Sequence, residues 1–235
     1  MLVSYFGSPS YVRAQTSDPP AQPSSAQRKR ALRRPDVIYY PTPDETVVEM
    51  LRLANIKHGD VLYDLGSGDG RIPIAAAQRY GIRAIGIEID PKLVALARER
   101  AQATDVSGVV TFRNADMFRT SIKEATVVTL YLSNKINLLL RPKLLRELRP
   151  GTRIVSHDFH MGDWKPEQTI RVPWQGNLYR TIYLWTVPVD RRKRKQYRAK
   201  SRPKRQHFIH TGLQRGDMQR CRTQELSTLF TRPEK

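Results

Sequence analysis

One cysteine, Cys221, stands in a chain of 235 residues, which removes disulfides and any cysteine-rich metal site and is compatible with a reducing compartment. No stretch of about 18 consecutive apolar residues occurs, so no transmembrane helix is expected. The opening "MLVSYFGSPSYVRAQ" lacks a basic leader ahead of its few apolar positions and an unbroken apolar core of ~7 residues. No export signal is read there, and a cytoplasmic location is the expectation. The phosphate-cradling pattern G-x-x-x-x-G-K-[ST] is absent, and so is any internal repeat.

Acids are also scarce: 22 Asp and Glu against 41 Lys and Arg leave a net charge of +19. The deficit is local. Residues 1–35 carry six cations against one acid and residues 191–235 carry fifteen against three, whereas 36–190 carry twenty against eighteen. The ends are therefore basic and the middle is nearly neutral. "TSDPPAQPSSAQRKRALRRP" has the composition of a chain that buries too little surface to offset its ordering entropy, and "RRKRKQYRAKSRPKRQ" is a self-repelling block of like charge. The expected organisation is a disordered basic, Pro- and Ser-rich segment over 1–35, one folded domain over 36–190, and a disordered, strongly basic tail over 191–235. Such ends are either solvated extensions or arms for an anionic partner such as RNA or a membrane surface.

Between the ends the pattern alternates. "YYPTPDETVVEMLRLANI" gives Thr42, Pro43, Asp44 and Glu45 at capping-box spacing, followed by apolar residues at helical intervals from Val47. "VLYDL" reads as a strand, and "GRIPIAAAQRY" as a helix starting near Asp69. Strands then follow at 83–90, 108–117, 125–132 and 152–159, with helices at 91–104 and 135–151, the latter carrying an irregularity at Pro142. The last two strands, 167–174 and 179–188, flank a short "QGN" turn and are expected to be antiparallel. The fold class is α/β: a doubly wound, mainly parallel seven-stranded sheet with an antiparallel last strand.

The loop "DLGSGDGR", Asp64 to Arg71, leaves the first strand and opens a helix, where open α/β sheets bind their ligands. Its glycines are spaced G-x-G-x-G, and Asp64 and Asp69 would oppose the pyrophosphate of a dinucleotide. A cationic ligand suits them: S-adenosylmethionine has no phosphate, an ammonium at its methionyl end and a positive sulfur. Glu88 ends the second strand, where an acid can accept from both ribose hydroxyls, and Asp116 ends the third, placed to accept from the adenine amino group. The bland alternative is that both acids only cap the following helices.

"DLGSGDGR", "GIEID" and "NADMF" resemble the cofactor motifs of class I, Rossmann-like methyltransferases. "YYPTP", "DLGSGDGRIPIAAA" and "LLRPKLLRELRPGTRIVSHDF" narrow the resemblance to a bacterial group similar to the mitochondrial protein-lysine methyltransferases, over roughly residues 37–188. It implies S-adenosyl-L-methionine as cofactor, a loop of Asp64, Gly66, Ser67, Gly68, Asp69 and Gly70 at the methionyl end, Glu88 on the ribose, Asp116 on the adenine side, and closure by Tyr40 and Thr42. It also implies a protein lysine as acceptor.

"YLSN" at the fourth strand's end lacks the [DNS]-P-P-[YF] of methyltransferases acting on exocyclic amines of DNA bases. Tyr131 or Asn134 is placed to hydrogen-bond an incoming amine, with helix capping the equal alternative for Asn134. Asp158, ending the fifth strand, is the nearest acid able to hold a lysine ammonium. His157, Asp158, His160 and Asp163 in "SHDFHMGDW" lack the helical spacing of a histidine metal pair, so no metal is assigned. Trp164, Trp174 and Trp185 are read as packing rather than as a methyl-ammonium cage. Two other functions stay open: an RNA or small-molecule methyltransferase of the same fold, and a non-catalytic cofactor-binding regulator. The sequence leaves the oligomeric state undetermined.

Overall fold

The computed structural model describes residues 32–35 and 38–200. The expected disorder of 1–31 and 201–235, and Cys221, lie outside the described residues. The chain alternates α1 (Asp44–Leu53), β1 (Val61–Leu65), α2 (Arg71–Tyr80), β2 (Arg83–Glu88), α3 (Pro91–Ala103) and β3 (Val110–Asn114). It continues through β4 (Val127–Leu130), α4 (Asn134–Glu147), β5 (Arg153–His157), β6 (Gln168–Trp174), β7 (Leu178–Thr186) and α5 (Arg191–Lys200). One seven-stranded sheet runs in the order β3-β2-β1-β4-β5-β7-β6. β1 to β5 pair in parallel, and β7 is antiparallel to both β5 and β6.

Side-chain alternation along the strands divides the core between the two faces. Leu62 of β1 joins the cluster beneath α1, α2 and α3, while Tyr63 and Leu65 join the one beneath α4, together with Trp164 and Trp185. β2 is shorter than the run that announces it because the run's last residue turns to capping. Asp90 accepts from Lys92 N at 2.8 Å and, with Pro91 in the first turn, starts α3.

Two local readings are corrected. α1 begins at Asp44, with Pro43 extended at the cap position and no side-chain cap bond, so Thr42 is not the cap. Its hydroxyl instead reaches His157 Nδ1 at 3.3 Å. α4 is capped by Ser133, which accepts from Ile136 N, and not by Asn134, its first residue.

The domain also extends past 190. α5 lies within the tail expected to be disordered, and it docks: Arg194 donates to the carbonyls of Leu145 and Leu148 at the end of α4, and Tyr197 stacks on Trp164 at 5.6 Å. These contacts offset the repulsion among its like charges. Within the segment expected to be disordered over 1–35, Arg33 likewise pairs with Asp116.

The loop after β5 is pinned to α4. Asn134 Oδ1 accepts from His160 N, Asn137 Nδ2 donates to Phe159 O, and the buried Arg141 donates to Met161 O and Asp163. Arg141→Ala should orphan the Met161 carbonyl and open a cavity, costing about 2–5 kcal/mol. Arg141→Met, which keeps most of the volume, should recover part of that loss. Urea unfolding midpoints check both, and equal midpoints for wild type and Arg141→Ala would contradict the pinning.

Candidate active site

Strand order reverses between β1 and β4, and a cavity of about 450 Å³ opens at the carboxyl ends of the strands there. Its walls are the glycine loop, the ends of β2 and β4, and segment 38–42, with Arg33 and Pro35 at one side. The volume falls in the range of about 300–1,000 Å³ usual for small-molecule sites.

The loop is built on left-handed backbone, with φ of 80°, 53° and 81° at Gly66, Gly68 and Gly70. The Tyr39 ring lies on Gly68, where a Cβ would stand 2.8 Å from Tyr39 Cδ2. Glu88 reaches back from β2 to accept from Gly68 N at 2.9 Å, and its other oxygen accepts from Ile89 N and Asp90 N. One carboxylate thus ties the loop to the end of the neighbouring strand.

The loop's two acids have different electrostatics. Burial would raise Asp69, but Arg71 binds both its oxygens, the Tyr39 hydroxyl shares it and Arg100 pairs with it, so it is held below the usual carboxylate range. Arg71 also donates to Thr42 O at 2.8 Å, joining the loop to segment 38–42. Asp64 has a hydrogen bond from Thr129 Oγ1 at 2.7 Å and, among the described residues, no cation. Burial, with smaller contributions from Glu88 and Asp69, pushes it up to about 7. A buried carboxyl in a cavity wall with no counter-ion among the described residues is suited to receive a cation. Ser67 Oγ, in the same loop, is buried and has no partner among the described residues. These features fit the methionyl ammonium of S-adenosylmethionine, which Asp64 would hold while Glu88 takes the ribose.

A family model described as the ANTKMT methyltransferase domain matches residues 64–168, from Asp64 to the start of β6. A "Protein-lysine N-methyltransferase" of Saccharolobus islandicus is 41% identical over 154 residues, 65% of this chain and 95% of that protein. The chain belongs to the protein-lysine group of class I methyltransferases. This methyltransferase is also 37% identical to the "Adenine nucleotide translocase lysine N-methyltransferase" of Mus musculus, across 59% of this chain and 60% of that relative. Among solved structures, it is 52% identical to an "RNA methyltransferase from Salinibacter ruber in complex with S-Adenosyl-L-homocysteine". That match covers 64% of this chain and 95% of the other, with a TM-score of 0.60. S-adenosylmethionine is the cofactor.

Of the residues singled out in the sequence, Tyr40, Thr42, Asp64, Gly66, Ser67, Gly68, Asp69, Glu88 and Tyr131 line the cavity, and Gly70, Asp116, Asn134 and Asp158 do not. Gly70 faces Phe112 and Ala97 in the core. Asp116 is bound through two hydrogen bonds by Arg33, at 2.8 and 3.2 Å, and caps Phe118 N; against the pull of burial these hold its carboxyl low. Asn134 Oδ1 accepts from the His160 amide. Asp158, with φ 57°, turns back onto β7, accepting from Arg180 at 3.0 Å and Thr181 N at 2.8 Å.

The residues of "SHDFHMGDW" are likewise committed to protein partners. His160 Nδ1 accepts from Gly162 N, Asp163 pairs with Arg141, and His157 is wholly buried under the Tyr131 ring at 3.9 Å. Trp164 and Trp185 are core, and Trp174 carries the Arg180 guanidinium 3.8 Å above its ring.

Sequence reasoning passes over Arg71, Tyr39, Thr129 and the link from His157 to Thr42. Arg71 adjoins the glycine motif and is readable as a loop partner. The other contacts join segments far apart in the chain and leave no local mark.

Proposed function

We propose that this methyltransferase transfers the methyl group of S-adenosylmethionine to lysine side chains of a protein. The observation that carries this reading is the 41% identity, across 95% of its length, to a relative named as a protein-lysine N-methyltransferase. The cofactor supplies a methyl group on a positive sulfur. The acceptor then needs a free lone pair and an in-line approach more than it needs a covalent catalyst. Lysine, whose amine ordinarily titrates at about 10.4, must first lose a proton.

At the β4 edge of the cavity stands Tyr131, half-buried and stacked on His157. Burial raises its phenol above the ordinary value, so it stays neutral and offers an oxygen to the amine. Asp158 already holds Arg180 and Thr181 N and does not line the cavity, which favours Tyr131 over that acid as the group facing the amine.

An RNA acceptor is the second reading. It is favoured by the 52% identical structure named an RNA methyltransferase and by the exposed cations of α5. A labelled methyl group followed from S-adenosylmethionine into host-cell extract, fractionated into protein, RNA and small molecules, separates the two. Label in a protein band, lost with Asp64→Ala and mapped to lysine by mass, is the expected result. Label confined to RNA would replace the lysine reading, and cofactor binding without label anywhere would make the protein a regulator.

A further inference from the structure

Thr42, in the cavity wall, heads a chain of contacts with His157 and Asp158, which lie outside the wall, and the methyl-transfer geometry does not use it. Thr42 Oγ1 lies 3.3 Å from His157 Nδ1, and His157 Nε2 lies 3.4 Å from Asp158 Oδ2. Thr42 and His157 are 3% and 0% exposed, and their 3.3 Å separation leaves no space for a bridging water. A core histidine is ordinarily satisfied at both nitrogens, whereas Nε2 here has no aligned hydrogen bond among the described residues. An unsatisfied buried group carries a desolvation penalty, which asks for a reason.

We propose that Asp158 and His157 act as positioning residues, holding the Thr42 hydroxyl proton turned away from the cavity so that the Thr42 oxygen faces it as an acceptor for the cationic methionyl end of the cofactor.

The location of the imidazole proton decides the polarity of the chain. Burial, against the attraction of Asp158 and with the repulsion of Arg180, lowers His157 below the ordinary imidazole value, so the ring is neutral near pH 7 and has one N–H. Three groups face it: the carboxylate of Asp158, the guanidinium of Arg180 that holds that carboxylate, and the Tyr131 phenol ring stacked on its plane. A lone pair on Nε2 would confront the carboxylate, whereas an N–H there is attracted to it. The proton therefore sits on Nε2, and Nδ1 is an acceptor. Thr42 must then be the donor. Its oxygen keeps its lone pairs, no donor reaches it among the described residues, and Thr42 lines the cavity.

The array has the order hydroxyl, imidazole, carboxylate found in nucleophilic triads. It cannot work as one, because Arg180 already compensates Asp158 and so low a basicity does not draw a proton from a hydroxyl. A fixed hydrogen-bond polarity is what remains. The Tyr131 stack resists rotation of the ring, which keeps Nδ1 at Thr42 and Nε2 at Asp158 rather than putting ring carbons there.

The proposal rests on the cavity being the cofactor site, and its test separates the two. In the full chain labelled with ¹⁵N, the His157 side chain should show the Nε2–H tautomer, assigned by its loss in His157→Phe. Calorimetry with S-adenosylhomocysteine should show Thr42→Val about five- to tenfold weaker than wild type, and Thr42→Ser, which keeps the hydroxyl, close to it. Thr42→Val with His157→Phe should be no weaker than Thr42→Val alone, because both remove the same hydroxyl orientation. An Nδ1–H tautomer, additive losses, or unchanged binding by Thr42→Val would each overturn the relay. Failure of the wild type to bind would instead overturn the cofactor site. If His157→Phe does not fold, Asp158→Asn takes its place in the spectra and should move His157 toward a mixture of tautomers; an unchanged spectrum would remove Asp158 from the relay.

Discussion

Asp64→Asn is expected to weaken S-adenosylmethionine binding by about 10- to 100-fold at neutral pH, the size of a charge-assisted hydrogen bond. The reason lies in the division of charge around the glycine loop. Asp69 and Asp116 are compensated by Arg71 and Arg33, and Glu88 accepts from three backbone amides, whereas Asp64 has only the Thr129 hydroxyl and so is the acid best placed to receive the ligand's ammonium. Asparagine keeps the shape and can still accept from Thr129 Oγ1, which isolates the charge. The pH dependence follows in sign. In the free protein Asp64 titrates near 7, and only its ionised form attracts the ammonium. Binding therefore releases a proton below that value, and affinity should fall by roughly tenfold per pH unit as pH drops well below it.

Asp64→Asn should flatten that profile. A wild-type profile already flat between pH 5.5 and 7.5 would show that another group holds the ammonium. A second sign is fixed by the same shift. The folded-state value is raised above the unfolded one, so this carboxyl contributes most to stability below about 4 and loses that contribution as pH climbs through about 7. The thermal midpoint of Asp64→Asn should therefore exceed that of the wild type at pH 8.

What the sequence makes legible is local in origin. An apolar run, a glycine spacing and an acid at the next strand's end are all readable within a few residues, and Asp64, Glu88 and the strand alternation rest on such signals. Ser133 and Asn134 are both able to cap α4, and only the backbone decides between them: Ser133 is extended, at φ −169° and ψ 162°, leaving Asn134 inside the helix. Asp158 reads as facing the acceptor because it ends a strand. A left-handed backbone at that residue turns it onto β7, and nothing in "SHDF" announces a positive φ. The neutralisation of Asp116 depends on Arg33, 83 positions away, whereas Asp69 is held chiefly by Arg71, two residues on, with Arg100 of α3 in addition. Thr42 and His157 meet across 115 positions. Spacing rules carry no information at that range, so the motifs locate the site while the charge state of its acids has to come from packing.

The same distinction predicts opposite failures for two neighbouring glycines of one motif. At Gly70, φ is 81°, and a Cβ would overlap the Phe112 ring and stand 2.8 Å from Ala97 Cβ, both in the core. Gly70→Ala adds a left-handed alanine, about 1–2 kcal/mol, to overpacking of about 1–3 kcal/mol, so the domain should lose about 2–5 kcal/mol. Since Gly70 does not line the cavity, whatever fraction remains folded should bind S-adenosylhomocysteine with nearly the wild-type constant. Phe112→Leu, made together with it, removes the obstructing ring and should recover part of the loss, a non-additivity readable in a double-mutant cycle. At Gly68 the obstruction is the Tyr39 ring, which is 41% exposed and able to swing away. Gly68→Ala should therefore cost less stability but displace the ring that shares Asp69, and should weaken cofactor binding. If Gly70→Ala abolished binding while leaving the unfolding midpoint unchanged, its place in the motif would be a ligand contact after all and the packing account would be wrong.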